Sequence, residues 1–185
     1  MHISARQSVA VLALSAVGLA TYVGYEGWSP TAVPPVKGDV PTYGFGTTRN
    51  PDGRPLKGGE TITPPAAIKL ALRDVQVHEG ILKKCLAGVT LYQHEYDAFV
   101  SLELNTGRVC SSSIPGKLRA GDYAAACRTI LDFDGFCTQP KILNAAGKRV
   151  CPPGAMKKLP GLTKRRQAEY STCIGPQANG IEDRK

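Results

Sequence analysis

From Ser8 to Tyr25 the chain reads SVAVLALSAVGLATYVGY, eighteen residues without a charge, and the next residue is Glu26. As a helix this run is about 27 Å long, barely the thickness of a bilayer's hydrocarbon core. Half of it is Gly, Ala, Ser or Thr. Its Val and Leu residues supply only about 2 to 4 kcal/mol of insertion free energy, so residence in lipid is marginal. Three environments satisfy such a segment: a membrane-anchored helix, a signal peptide cleaved after Gly18-Leu19-Ala20, or a helix buried in a globular domain. The expectation is an uncleaved N-terminal signal-anchor helix over residues 1–25, entering the membrane through residues 8–25.

The stretch that follows, YEGWSPTAVPPVKGDVPTYGFGTT from Tyr25 to Thr48, is rich in turn residues and sparing with carboxylates. Glu26 stands at the end of the apolar run beside Trp28, a setting that raises a carboxyl pKa and suits a general acid. Asp39 lies in the turn Gly38-Asp39-Val40-Pro41 and leads into a short strand from Thr42 to Gly46. Two carboxyl groups in unlike surroundings are what hydrolysis of a glycosidic bond requires, one to protonate the leaving oxygen and one to activate water. Gly44-x-Gly46 lacks the third glycine of a dinucleotide loop.

Downstream, Arg49 to Glu60 reads as an exposed loop. Thr63 and Pro64 open a helix whose apolar positions, Ala67, Leu70, Ala71, Val75, Leu82 and Leu86, continue to a stop at Gly88, with Gly80 a weak point in its middle. Leu91 to Gly107 is a core helix, and Lys117 to Leu131 predicts another. Asp134 to Gly154 is irregular. Pro160-Gly161 turns into a last helix in which Arg165 and Glu169 stand four apart, the spacing of an ion pair. The tail over 175–185 is polar and expected to be disordered.

Six cysteines, Cys85, Cys110, Cys127, Cys137, Cys151 and Cys173, all follow the carboxylate stretch and contain no Cys-x-x-Cys. With an export-type N-terminus they predict disulfides, with fifteen pairings open and Cys137–Cys151 favoured because the two bracket one irregular loop. His78 and His94 lack metal-ligand spacing, so no metal is expected. The formal charge of +8 favours anionic partners. No nucleic-acid recognition motif accompanies it, and nucleic acid is not expected as a partner.

The order Glu26-Gly27, an aspartate turn, then Thr42-x-Gly44-x-Gly46 resembles the phage-type lysozymes of glycoside hydrolase family 24. Gln93 to Gly107 is similar to that family's Q-x-x-[FY]-D-A-[LF]-V-S-[FL]-x-x-N-x-G signature at ten positions, and Pro160 to Glu169 to its P-G-L-x-x-R-R-x-x-E motif. The resemblance implies an α+β, lysozyme-like domain over 26–174, with a small β-containing N-terminal lobe and a larger helical C-terminal lobe. It also implies a catalytic trio of Glu26 as acid, Asp39 as base and Thr42 as holder of the attacking water, with Asn105 beside the saccharide groove. The family usually sets its aspartate closer to the glutamate, at a place that here holds Pro35, and Thr47 or Thr48 then compete with Thr42.

By the same resemblance the substrate is the β-1,4 bond between N-acetylmuramic acid and N-acetylglucosamine in peptidoglycan, hydrolysed by a monomer without a cofactor. Hydrolysis is expected to be inverting, with transglycosylation the other outcome open on such a scaffold. The N-terminal run resembles that of signal-anchor-release endolysins, which are held at the host inner membrane and freed into the periplasm. The rival is a membrane-tethered peptidoglycan-binding protein that kept the fold and lost the chemistry.

Overall fold

A computed structural model describes residues 5–175 apart from positions 35, 37, 146 and 148. The uncharged run does not form one helix. Gln7–Ser8 is a short strand, β1, and only Ala16–Glu26 is helical, as α1. Ser15 decides this. Its N–H and hydroxyl both donate to the Asp97 carboxylate, and its oxygen accepts from the Gly18 N–H at 3.0 Å, which caps the helix there. Upstream, the Leu14 N–H donates to Glu79 at 2.7 Å. Arg6 makes a two-point ion pair with Glu95 at 2.7 and 3.0 Å, with its guanidinium over the rings of Tyr92 and Tyr123.

Val9, Leu12 and Tyr22 lie buried in the main core with Leu82, Phe99 and Leu102. The continuous signal-anchor helix expected over residues 1–25 is therefore absent from this folded state, and residues 5–25 pack as part of the same globular domain as the rest of the chain. Among the described residues no helix is long and apolar enough to cross a membrane.

Gly27, at φ +71°, ends α1 and turns the chain into β2, Ser29–Val33. This strand pairs antiparallel with β3, Thr42–Gly44, with Ser29 opposite Gly44 and Val33 opposite Thr42. Behind them Ala32, Tyr43, Leu56 and Leu70 form a second, small apolar cluster. The loop after β3 is ordered by Glu60, which accepts from the Asn50 amide and the Lys57 N–H, both at 3.0 Å.

Helix α2, Pro64–Cys85, runs unbroken through Gly80. Its Leu70 belongs to the small cluster, whereas Ala71, Val75 and Leu82 belong to the main core, so this one helix joins the two lobes. Gly88, at φ +80°, turns the chain into β4, Thr90–Leu91, which pairs with β1. Helix α3, Gln93–Thr106, supplies the centre of the core and ends at Gly107 in the left-handed region.

The single helix expected from Lys117 to Leu131 is two, α4 (Ile114–Arg119) and α5 (Tyr123–Arg128), followed by a 3₁₀ turn over Thr129–Phe133. Gly121, at φ +77°, breaks it, and the Asp122 carboxylate recaps α5 by accepting the Ala125 N–H at 3.0 Å. The irregular stretch is an ordered hairpin. Strand β5 (Gly135–Cys137) pairs with β8 (Met156–Lys158), and β6 (Ile142–Leu143) with β7 (Arg149–Val150). Helix α6, Pro160–Ile174, closes the fold against α3. The tail expected to be disordered lies, beyond Gly175, outside the described residues.

All six cysteines pair, as Cys85–Cys110, Cys127–Cys173 and Cys137–Cys151. The first ties the end of α2 to the turn after α3, the second ties α5 to α6, and the third staples the hairpin as its bracketing position suggested. Cys127 and Cys173 are both buried in the main core and close a loop of 46 residues. Replacing both by Ala is expected to cost about 2 to 4 kcal/mol in urea unfolding. The Cys137→Ala/Cys151→Ala pair should leave the main transition in place, because the hairpin it staples is not part of either apolar cluster.

Candidate active site

Glu26 is the last residue of α1, fixed by the left-handed Gly27 behind it, and its side chain keeps 29% of its surface exposed. One oxygen accepts from Arg165 Nη1 at 3.1 Å. The other lies 3.4 Å from where a Cβ on Gly46 would sit. Gly46, at φ +77°, thus lets the tip of the β3 hairpin come up against the carboxylate. Trp28 and Phe45, the latter next to Gly46, meet with ring centroids 5.4 Å apart and planes inclined at 52°. Glu26 is expected against aromatic surface; the side chain that holds its carboxylate is the Arg165 guanidinium.

Arg165 belongs to a buried cluster organised by Glu169. Arg165 Nε and Ser101 Oγ donate to Glu169 Oε1 at 3.1 and 2.7 Å. Arg166 lies against both carboxylate oxygens, at 3.1 Å through Nη2 and 2.9 Å through Nε. Arg166 Nη2 also donates to Asn105 Oδ1 at 3.0 Å, and Arg165 stacks over the Tyr25 ring. Burial pushes the Glu169 carboxyl up against the pull of Arg166, Ser101 and Arg165, and the same burial pushes the Arg166 guanidinium down. The i,i+4 pair expected between Arg165 and Glu169 is present, and Arg165 extends it to Glu26 at the end of α1.

The other expected site residues are less enclosed. Asp39 sits on the exposed loop between β2 and β3, where its N–H donates to Val36 O and its carboxylate accepts the Val40 N–H at 2.8 Å. Among the described residues it makes no hydrogen bond or ion pair with Glu26, Thr42 or Arg165. Pro35 lies outside the described residues. Thr42 opens β3 and is half-buried.

Thr47 pairs with Tyr43 across the hairpin, and antiparallel partners share a face. Its hydroxyl is accordingly buried on the side of Tyr43, with no partner among the described residues. Thr48 is exposed. Asn105 is exposed at the end of α3 with its carbonyl oxygen on Arg166, which leaves its amide nitrogen facing solvent without a partner among the described residues.

The residue that sequence reasoning missed is Arg165. Its neighbourhood in sequence carried no signal for this role, because the same Arg165 that makes the i,i+4 pair with Glu169 also reaches Glu26, while Arg166 stays on Glu169.

A family model described as phage lysozyme matches residues 23–169, which spans Glu26, Asp39, Thr42, Asn105 and the Arg165–Glu169 cluster. The chain belongs to the phage lysozyme family. It is 33% identical over 106 residues to the endolysin of Salmonella phage P22, covering 56% of this chain and 72% of that one. It is also 33% identical over 130 residues to the endolysin of Acyrthosiphon pisum secondary endosymbiont phage 1, covering 69% and 75%. Among solved structures, the endolysin of Escherichia coli O157:H7 phage FAHEc1 superposes with a TM-score of 0.71 at 26% identity, over 89% of this chain and 94% of that one.

Removing the centre of the cluster tests its architecture. Glu169→Gln leaves two largely buried guanidiniums, Arg165 and Arg166, without their shared counter-charge. Loss of one partner from such a pair typically costs about 3 to 5 kcal/mol, and a chemical unfolding curve should show a destabilisation of that order.

Proposed function

We infer that this chain is an endolysin, a muramidase that hydrolyses the β-1,4 bond between N-acetylmuramic acid and N-acetylglucosamine in the peptidoglycan of a bacterial host and so lyses the cell. The observation that carries the reading is Glu26. It is a part-exposed carboxyl at a helix end, held by Arg165 and approached by Gly46, inside the stretch that matches the family. Glu26 protonates the leaving oxygen. Asp39 activates water from the opposite side of the sugar and Thr42 holds that water, an inverting arrangement needing carboxyl groups roughly 6.5 to 9.5 Å apart. The buried hydroxyl of Thr47 favours Thr42 for this role, and Asn105, whose carbonyl oxygen is taken by Arg166, offers its amide N–H groups to a saccharide oxygen.

Digestion of purified peptidoglycan tests these roles. Glu26→Gln should abolish turnover, because the amide cannot supply the proton. Asp39→Asn should retain only a small fraction. Full activity of the Asp39 variant would move the base elsewhere. A wild-type chain that binds wall without solubilising it would instead establish the tethered, non-catalytic reading that Pro35 favours.

We further propose that residues 8–25 anchor the newly made chain at the host inner membrane before it folds, and that release into the periplasm activates it. The folded state supports this by exclusion. Val9, Leu12 and Tyr22 cannot fill both the core and a bilayer. While the segment is in lipid, Glu79, Glu95 and Asp97 lack the donors supplied by Leu14, Arg6 and Ser15. Glu26 then has no α1 to hold it beside Arg165, so the tethered form is inactive.

Ala20 is exposed on α1, and a side chain at Gly24 meets nothing within 4 Å. Ala20→Leu/Gly24→Leu should therefore keep wall-digesting activity in the folded protein yet retain the chain in membranes and delay lysis. Gly18 does not serve this test, since a Cβ there falls 2.6 Å from Leu14 Cδ1 and 3.1 Å from Asp97 Cγ. A mature chain found by N-terminal sequencing to begin at Thr21 would overturn the anchoring reading.

A further inference from the structure

Among the described residues, no hydrogen bond or ion pair links the hairpin between the 3₁₀ turn and α6 to Glu26, Asp39, Thr42, Asn105 or Arg165. None of its strands joins a sheet of the body, and its own two-stranded pairs are β5 with β8 and β6 with β7. Its stem is fixed by Thr138, whose N–H and hydroxyl both donate to Ala155 O at 2.9 Å, and by the Lys158–Asp134 ion pair at 2.7 Å. Cys137–Cys151 locks it partway along. A chain that only needed to connect two helices has no use for an ordered, covalently stapled projection.

Its side chains are unusual for a projection in water. Phe136, Ile142, Leu143 and Met156 are 48%, 48%, 67% and 49% exposed, and none belongs to either apolar cluster. Single exposed apolar residues are ordinary on protein surfaces, but four large ones on one short hairpin are a concentration. From Gly135 to Lys158 the sequence has no acidic residue. Lys141 precedes Ile142, and Lys157 lies opposite Phe136 in the ladder, so cations are interleaved with the exposed apolar groups.

We propose that this hairpin is a membrane-surface docking element that seats the folded enzyme on an anionic phospholipid bilayer. Lysines beside exposed aliphatic and aromatic side chains are the combination that an acidic lipid interface rewards twice, once through the headgroup charge and once through insertion at the acyl boundary. An anionic wall polymer would reward the lysines alone. The staple keeps the apolar groups presented instead of letting them collapse onto the body. The inference rests on the hairpin and does not require the N-terminal segment to be an anchor.

The test is co-sedimentation of the full, oxidised chain with phosphatidylcholine vesicles, with and without phosphatidylglycerol. Two variants that leave residues 8–25 intact are compared with the wild type: Ile142→Asn/Leu143→Asn and Lys141→Gln/Lys157→Gln. The wild type should partition onto the phosphatidylglycerol vesicles and not onto phosphatidylcholine alone. The apolar pair should lower partitioning about tenfold or more, the lysine pair about fivefold per cation removed, and neither should change digestion of purified wall. Failure of the wild type to bind overturns the proposal. So does wild-type partitioning by either variant: retained by the apolar pair it marks a plain polyanion site, retained by the lysine pair an uncharged hydrophobic one.

Discussion

Glu169 is the residue on which the geometry of the cleft depends. It sits on α6, receives Ser101 from α3, and gathers two consecutive arginines, one of which reaches Asn105 at the end of α3 and the other Glu26 at the end of α1. A buried carboxylate with two guanidiniums is expensive to desolvate, and such clusters are weak evidence for stability. Its value lies in direction. An apolar contact at this place would hold the helices together equally well without fixing the rotation of either carboxyl-bearing end, whereas the fork of Arg165 spans Glu169 and Glu26 and sets the distance between them.

The N-terminal run shows how an uncharged sequence is used in a packed globular core. Its lack of charge suits lipid, but its small and hydroxylated residues suit a helix packed close to its neighbours. Gly18 lets α1 approach Asp97, and Ser15 is both the cap of the helix and its attachment point. Val11 and Val17 remain 72% and 76% exposed in the folded state, an excess of apolar surface that no requirement of the core explains.

Much of this was legible in the sequence, and the parts that were not share a cause. The α2 and α3 helices follow from their apolar spacing, and the left-handed stop at Gly107 from its place after Asn105. The Glu26 and Thr42 positions follow from the motif around them. The break at Gly121 was hidden because Leu118, Tyr123, Ala126 and Ile130 keep helical spacing across it, and periodicity registers faces without registering a residue that leaves the helical region of backbone space. The N-terminal strand was hidden for a different reason: what ends the helix at Ser15 is Asp97, more than eighty residues away in the chain. Arg165 was assigned to its neighbour Glu169 correctly and to Glu26 not at all, since local spacing says nothing of a partner 139 residues distant.

The disulfides fall on one side of this division. All three lie at or beyond Cys85, so they brace the helical lobe and the hairpin and leave the β-containing lobe to a small apolar cluster and to α2. Glu95 and Asp97 stand on α3, whose two ends are flanked by Cys85 and Cys110 of one disulfide, and Glu79 stands six residues before Cys85 on α2. The groups that receive Arg6, Leu14 and Ser15 thus stand on helices that the Cys85–Cys110 disulfide ties together. Covalent bracing of the receiving surface lowers the ordering entropy lost when the segment docks. Docking of α1 on that surface is what brings Glu26 beside Arg165.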